Sequence, residues 1–519
     1  MAAASPVSTL TPKPAKAKPK LGLRAWMERV LDECDRAAAG FEADPVHDLR
    51  VALRRCRSLA DGFMVLDPDS SWKDMKKAGR KLFRALGELR DMQVMQEWIE
   101  KLGDPADPVL VKLLEHVRAR ESECKELAWK DLDEFDRKRW RQWSRTLPGR
   151  ASRVRPGSVV YLHLALEKWT DAYELHKRAL RSRSQVALHE LRISIKRFRY
   201  TVENFLPEQH THWGKDLKEL QDLLGEIHDL DVLWATALQI HAFPDFASRN
   251  GWRGKLSQER SRRLERYREM MVGKASRWQV WRHELPSGPH LRAAAMSRLR
   301  VWAGFLDPDF PHAQRVTQLA LHLYDGLARA GVVQPSHPDS RDVLQAAAFM
   351  HDVGRAKGHE DHQKKSLRMI RNLERPLGWS ARELELVAVV ARYHRGALPR
   401  QRGKTMQRLD LPDRRTALEL AGVLRLANAL DIRKDARNGD PQTVTIRNGR
   451  KVKAVAPKLQ ITLQDRVLLV QFAGYSPFDR SAENVAGARH LLELVLRRPV
   501  MVKPLRLPGA PNRTAAASR

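Results

Sequence analysis

One motif occurs twice in the first half of this 519-residue chain, and that duplication restricts its fold more than any other feature. Residues 46–63 read VHDLRVALRRCRSLADGF, and residues 188–205 read LHELRISIKRFRYTVENF. Aligned, His47 meets His189, Leu49 meets Leu191, Arg50 meets Arg192 and Arg54 meets Lys196. Arg55, Arg57 and Phe63 then meet Arg197, Arg199 and Phe205. A second pair follows, LGELRDMQVM at 86–95 and LGEIHDLDVL at 224–233. The two offsets are 142 and 138 residues, as an internal duplication with a small length difference requires. The flanking segments have helical periodicity and few strand signals, apart from an ambiguous GSVVYLHL near residue 160. The pattern predicts a helical domain over 23–285, made of two pseudosymmetric bundles at about 23–150 and 160–285.

Helix geometry divides the motif into two faces. At about 100° per residue, His47, Arg50, Arg54 and Arg57 fall within an arc of roughly 80°. Leu49, Leu53, Cys56, Ala60 and Phe63 lie opposite and are the expected core face. In the second copy His189, Arg192, Lys196 and Arg199 oppose Leu191, Ile195, Phe198, Val202 and Phe205. Each copy presents a cationic row about 15 Å long at 1.5 Å rise per residue. The next helix adds Lys73, Lys77, Arg80 and Arg84, flanked by Lys76 and Lys81; Lys215 and Lys218 occupy the comparable region of the second copy. Like charges at this spacing repel by a few tenths of a kcal/mol per pair. Two arrangements relieve that cost. The row pairs internally with Glu88 and Asp91 in one copy and Glu226, Asp229 and Asp231 in the other, or it receives a polyanion whose oxygens suit bidentate arginine.

Composition agrees with a polyanionic partner. Residues 1–300 hold 57 basic and 42 acidic side chains, and residues 301–519 hold 37 and 21, net +15 and +16 of a total +31. The bias is spread along the chain, and such a field attracts nucleic acid, acidic membranes and polyphosphate alike. No apolar run approaches the roughly 18–20 residues that span a bilayer. Residues 1–22 read as a disordered basic tail without a secretory h-region, and 506–519 as a second disordered tail. Cys34, Cys56 and Cys124 lack metal-site spacing and read as reduced thiols of a cytoplasmic protein.

The two motif pairs, in this order, resemble the CHAD family, the conserved-histidine α-helical domain. The resemblance implies a pseudosymmetric helical fold with a basic cavity that binds inorganic polyphosphate, and association with polyphosphate granules. It assigns ligand contacts to His47, Arg50, Arg54, Arg55 and Arg57, and to His189, Arg192, Lys196, Arg197 and Arg199. His228 replaces Arg90 in the second copy, and Gln93 replaces Asp231 in the first.

Beyond a break at LPSGPH (285–290) the chain reads as further amphipathic helices over 312–331, 342–355, 383–400 and 417–435. After residue 440 the period becomes strand-like. QTVTIRNGRKVKAV carries an Asn-Gly turn, KLQITLQDRVLLVQF reads as a second hairpin, and a helix near 480–498 and a strand at PVMVKP follow. The chemistry is concentrated at His351-Asp352, which closes an apolar helix 39 residues after His312. Imidazoles and carboxylates so placed can hold a divalent metal and acidify its water. The spacing is similar to that of the HD phosphohydrolase superfamily, whose late Asp ligand is replaced here by Asn428. Asp431, one turn on, is the expected substitute, and His359 and His362 are further candidates. HDVGRAKGHEDHQKKSLRMIRN with RYHRGALP resembles the C-terminal helical region of exopolyphosphatases and guanosine pentaphosphate phosphatases, without the actin-like domains that carry catalysis there. In the basic stretch after this helix, Arg392 and Arg395 are assigned to polyphosphate.

The expected fold is therefore mainly α: the duplicated bundle domain, an HD-type helical domain over 290–440, and a small α+β subdomain over 441–505. The expected function is binding of inorganic polyphosphate in the cytoplasm, at polyphosphate granules or in polyphosphate metabolism, with no cofactor needed for binding and no membrane partner. Two alternatives stay open. One is a metal-dependent phosphohydrolase acting on polyphosphate or a phosphorylated nucleotide, with Mn or Mg held by His312, His351, Asp352 and Asp431. The other is a nucleic-acid binder; against it, the rows lack interleaved aromatics and no reading helix is present, so nucleic acid is expected to bind only non-specifically.

Overall fold

The structure, a computed structural model, describes residues 22–39, 41, 43–182, 184–333, 338–431, 459–479 and 481–505. The chain opens with α1 (Leu23–Ala38), α2 (Ala43–Met64), α3 (Ser70–Ala78), α4 (Arg80–Leu102), α5 (Pro108–Asp133) and α6 (Arg137–Ala151). It continues with α7 (Val159–Ser182), α8 (Gln185–Phe205), α9 (Pro207–Gln239), α10 (Phe246–Met271) and α11 (Arg277–His283). The C-terminal part holds α12 (Gly288–Leu306), α13 (Phe310–Arg329), α14 (Ser340–Met350), α15 (His362–Arg371), α16 (Ala381–Arg392) and α17 (Leu411–Leu430). It ends with β1 (Leu459–Gln464), β2 (Val467–Phe472), α18 (Ser481–Leu496) and β3 (Val500–Pro504). The mainly α fold with a small C-terminal sheet is as the sequence predicts. The ambiguous segment near residue 160 is the start of α7, because Val160, Tyr161 and Leu164 repeat at helical spacing and are all buried. The expected hairpin at 442–455 and both terminal tails up to residue 21 and from 506 lie outside the described residues.

Two compact units make up the chain. The first comprises the chain up to Asp61, Ser70–Arg155 and Glu226–Arg262; the second comprises Gly62–Asp69, Pro156–Gly225 and the chain from Arg263 onward. In the first unit α2 turns Leu49, Leu53, Cys56 and Ala60 wholly inward. Trp140 donates its indole N–H to the Met27 carbonyl at 3.0 Å. A separate core joins Trp98, Ile99, Leu113 and Val117 to Leu230, Leu233 and Trp252, and the Trp252 indole donates to Asp107 at 2.8 Å. Burying such indoles with their N–H satisfied keeps the apolar gain without a desolvation penalty.

In the second unit α8 packs on α7 and buries Leu191, Ile195, Phe198, Val202 and Phe205. The motif-equivalent residues Phe63 and Phe205 meet edge to face at 5.4 Å, and Tyr161 stacks on Phe205 at 4.4 Å. Gly62 permits this approach: a Cβ there would lie 2.2 Å from the Phe205 ring. Arg298, 2% exposed, is ion-paired with Glu167, which also accepts the Leu377 N–H at 3.3 Å and so ties α7 to α12 and to the 377 turn. At the C-terminal end β1 and β2 form an antiparallel hairpin whose turn residues, Asp465 and Arg466, both have positive φ. β3 lies parallel to β2, reached through the α18 crossover. Gly422 lets α18 lie against α17, since a Cβ would meet the Leu492 backbone at 3.2 Å.

An aromatic cluster in this unit makes folding pH-sensitive. His176, 4% exposed, hydrogen-bonds the Tyr267 hydroxyl and lies 5.3 Å from the Trp278 ring. Burial lowers its pKa from the ordinary 6.5 to about 4. The unfolded chain therefore binds this proton first. Full stability holds above pH 6.5 and falls progressively as pH drops towards 4, by about 3 kcal/mol in all. Denaturant titrations of the parent and of His176→Phe, compared across that window, are expected to differ by this slope. Parallel curves would show that His176 does not contribute it.

Candidate functional site

Two constellations carry charge or ligand chemistry. The first is the cationic row of the duplicated motif. In the first unit His47 is exposed and Arg50, Arg54, Arg55 and Arg57 are half-buried along α2. Arg57 donates to the Lys76 carbonyl at 2.9 Å and lies 4.9 Å over the Phe83 ring. Its pKa is lowered mainly by burial and further by nearby Arg80, while Asp61 opposes the shift. The cations of α2 thus run into those of α3 and α4.

Internal pairing accounts for part of the row. Lys76 pairs with Asp61, Lys81 with Glu134 at 3.1 Å, and Arg84 with Glu88 at 3.1 Å. These are exposed or half-exposed pairs, each worth about 0–1 kcal/mol and readily exchanged for a ligand. Lys73, Lys77 and Arg80 are exposed and have no carboxylate partner among the described residues. In the second unit His189, Arg192, Lys196 and Arg199 are half-buried on α8 and Arg197 is exposed. Arg199 lies 3.9 Å from Glu203, and Lys218 pairs with Asp222 at 3.0 Å. Arg197 and Lys215 have no carboxylate partner among the described residues. Asp231, expected as an internal partner of the row, pairs with Arg260 at 3.1 Å.

The second constellation is buried and is built from helix termini. Asp309 caps α13, accepting the His312 N–H at 3.3 Å, and places His312 in the first turn. His351 is the C-cap of α14 and Asp352 follows it. His362 opens α15 directly after Asp361, whose φ of +48° turns the chain. The capping box of Ser380 and Glu383 sets the start of α16, and His394 lies just beyond its end. Gly354 allows α15 to dock on the His-Asp turn: a Cβ would lie 2.1 Å from the His362 carbonyl oxygen and 2.6 Å from the Ser366 nitrogen. The Gly354 N–H donates to the Ser366 hydroxyl at 2.9 Å, and that hydroxyl donates to the His351 carbonyl at 2.8 Å.

Three imidazoles share one arrangement. Nδ1 of His351, His362 and His394 faces the backbone carbonyl three residues earlier, at 2.7, 2.9 and 2.8 Å. A carbonyl only accepts, so Nδ1 carries a proton in each ring, which leaves Nε2 as the atom that could bind a metal. Those Nε2 atoms lie 3.7, 3.1 and 3.5 Å from Asp352 Oδ1, and Nε2 of His362 and His394 are 3.4 Å apart. All four residues are at least 94% buried. Burial, followed by the neighbouring His351, holds His394 well below the ordinary histidine pKa. Donors at about 2.0–2.1 Å from one tetrahedral ion stand about 3.3 Å apart, and the separations among Asp352, His362 and His394 of 3.1, 3.5 and 3.4 Å fit that spacing.

The sequence-predicted ligands divide. His312, His351 and Asp352 place ligand atoms within 4.8 Å of one another, as do Asp352, His362 and His394. Asp431 lies outside both groups. Its carboxylate accepts from His312 Nδ1 at 2.6 Å and from Arg315 at 2.9 Å. Although burial opposes it, these bonds hold the Asp431 carboxyl below its usual range. Asn428 contacts the other side of His312, at 3.0 Å from Nε2. His359 is exposed and contributes only its carbonyl, to His362. His394, read from the sequence only as part of a basic stretch, is central. Arg355 pairs with Asp352 Oδ2 at 3.2 Å, leaving Oδ1 towards the imidazoles.

Residues 22–238 match the family model of the CHAD domain, and residues 301–470 match that of Ppx/GppA phosphatase, domain III. Among solved structures, the crystal structure of the CHAD domain from the plant Ricinus communis is similar at 22% identity. That similarity covers 51% of this chain and 90% of that one, with a TM-score of 0.35. No curated protein matches. The two family matches fall on the two parts of the chain whose motifs resemble those families. Both families relate to polyphosphate or other phosphate compounds. No described helix is long and apolar enough to cross a membrane.

Gly354→Ala tests how the histidine cluster is assembled. The added methyl is expected to push α15 off the turn, costing about 1–3 kcal/mol and removing His362 from the cluster. Calorimetric unfolding with and without added Mn²⁺ checks this. A variant with unchanged thermal stability and metal response would contradict the docking.

Proposed function

We propose that this chain binds inorganic polyphosphate through the cationic faces of α2–α4 and α8–α9, in the cytoplasm and in association with polyphosphate granules. The observation that carries this reading is the set of exposed cations without carboxylate partners, Lys73, Lys77, Arg80, Arg197 and Lys215, beside the repeated motif. A row held at this repulsion is relieved by a linear chain of phosphates. The contacts expected on one copy are His47, Arg50, Arg54, Arg55, Arg57, Lys73, Lys77, Arg80, Lys81 and Arg84. On the other they are His189, Arg192, Lys196, Arg197, Arg199, Lys215 and Lys218, with Arg392 and Arg395 beyond the repeat. The Lys77→Gln/Arg80→Gln double variant, altered only at exposed positions, is expected to bind long-chain polyphosphate at least tenfold more weakly by calorimetry. Bound duplex DNA is expected to leave at far lower polyphosphate concentration than bound polyphosphate leaves on adding DNA. The reverse order of displacement would favour the nucleic-acid reading.

A second reading is a metal-dependent phosphohydrolase centre, favoured by the donor group of Asp352, His362 and His394, with His351 and His312 on the other side of Asp352. A divalent ion held there would supply an acidified water and a Lewis acid for attack at phosphorus. Imidazoles with a carboxylate suit manganese, iron or zinc better than magnesium, which demands oxygen ligands. Asp352→Asn and His394→Ala are expected to abolish metal-stimulated release of phosphate from polyphosphate while leaving polyphosphate binding intact. Equal release by the parent and both variants would sink the hydrolase reading and leave the binding one standing.

A further inference from the structure

We propose that Arg392, Arg395 and Arg425 form an anion site for a single doubly charged phosphoryl group, beside the His351–Asp352–His362–His394 cluster. This site is separate from the cationic rows of the duplicated motif. The three guanidinium groups come from two helices and one turn. Arg392 is the last residue of α16, Arg395 follows His394, and Arg425 projects from α17. Arg425 donates to the Tyr393 carbonyl at 3.2 Å and to the Gly396 carbonyl, and so clasps the turn that carries His394. Gly396 closes that turn with φ of +76°. Arg392 lies 5.2 Å over the Tyr393 ring, and its Nη1 is buried without a hydrogen-bond partner.

None of the three arginines has a carboxylate within ion-pair distance among the described residues. The pKa of Arg425 is lowered by burial first, and then by the charges of Arg392 and Arg395. Arginines packed this way repel one another, and Arg392 holds a buried donor aimed at nothing. A ligand that resolves both must carry about two negative charges and several acceptor oxygens, which describes a phosphoryl group near neutral pH. A carboxylate offers one charge and two oxygens. Nearby, Lys365 binds the Lys357 carbonyl at 2.9 Å, and Asp361, the acid of this rim, is already paired with Lys364 at 2.7 Å. The rim therefore stays cationic, and the buried cluster next to it has the donor chemistry that binds oxyanions through a metal. In purpose the proposal rests on the phosphohydrolase reading, because it names the group that centre would receive. In binding it stands by itself.

Isothermal titration of the metal-stripped, full-length protein with inorganic pyrophosphate tests it. Arg395→Gln alters an exposed side chain and avoids the folding question; Arg392→Gln/Arg395→Gln removes two of the three charges. Weakening of one binding phase by at least about tenfold in the double variant, and by less in the single one, is expected. That phase should persist in Lys77→Gln/Arg80→Gln. Pyrophosphate binding unchanged in both arginine variants, or lost only in Lys77→Gln/Arg80→Gln, would overturn the proposal. If no variant or metal produces phosphate release while the arginine variants still lose binding, the hydrolase reading fails and the anion site survives.

Discussion

Unneutralised positive charge is the constraint on which the rest of this chain depends. Ninety-four basic and 63 acidic side chains cannot all pair, and the fold decides where the excess is left. On α2 and α8 basic side chains are lined up along one helix face while the opposite face is buried. The apolar gain of sealing Leu49, Leu53, Cys56 and Ala60, and their counterparts on α8, outweighs the tenths of a kcal/mol of repulsion per charged pair. Near His394 the excess is concentrated instead, with Arg425 fixed by carbonyl groups that satisfy its donors and leave its charge unanswered.

The histidine cluster poses the opposite electrostatic problem. Asp352 brings a carboxyl group into a buried pocket with three imidazoles around one of its oxygens, and Arg355 pairs with the other. The pocket holds because its neighbours are anchored elsewhere. Each Nδ1 proton goes to its own helix-terminal carbonyl, and the Gly354–Ser366–His351 hydrogen bonds clamp α15 to the turn. Such a cluster is pre-organised: its geometry is set by backbone hydrogen bonds and does not wait for the ligand.

Much of this was legible in the sequence, for physical reasons. A 3.6-residue period fixes which face of α2 and α8 is buried, so every core residue expected from the repeat is buried, and the repeat itself shows where the cations lie. The sequence could not show which distant helix ends converge. His351 and His394 are 43 residues apart, and nothing local marks His394 as facing Asp352. A signal did exist, in that His351, His362 and His394 each stand at or beside a helix terminus, where the carbonyl three residues back is available to bind Nδ1. Arg425 was hidden for the converse reason: one cation within an apolar helix reads as a snorkelling side chain.

Asn428 shows how a single exchange redistributes ligand chemistry. From spacing, Asp431 is the natural replacement for a missing late carboxylate, since it lies one turn further on nearly the same face. In the fold that turn carries it to the far side of His312, where Arg315 also claims it. His312 is thereby held between an amide and a carboxylate, with one nitrogen bound by each. A carboxylate at 428 would bring a second anion close to Asp352; the amide instead occupies Nε2 of His312 without adding charge. The centre of donation shifts to the opposite side of Asp352, towards His362 and His394. Asp352 is the residue that the two candidate donor groups share, with His312 and His351 in one and His362 and His394 in the other.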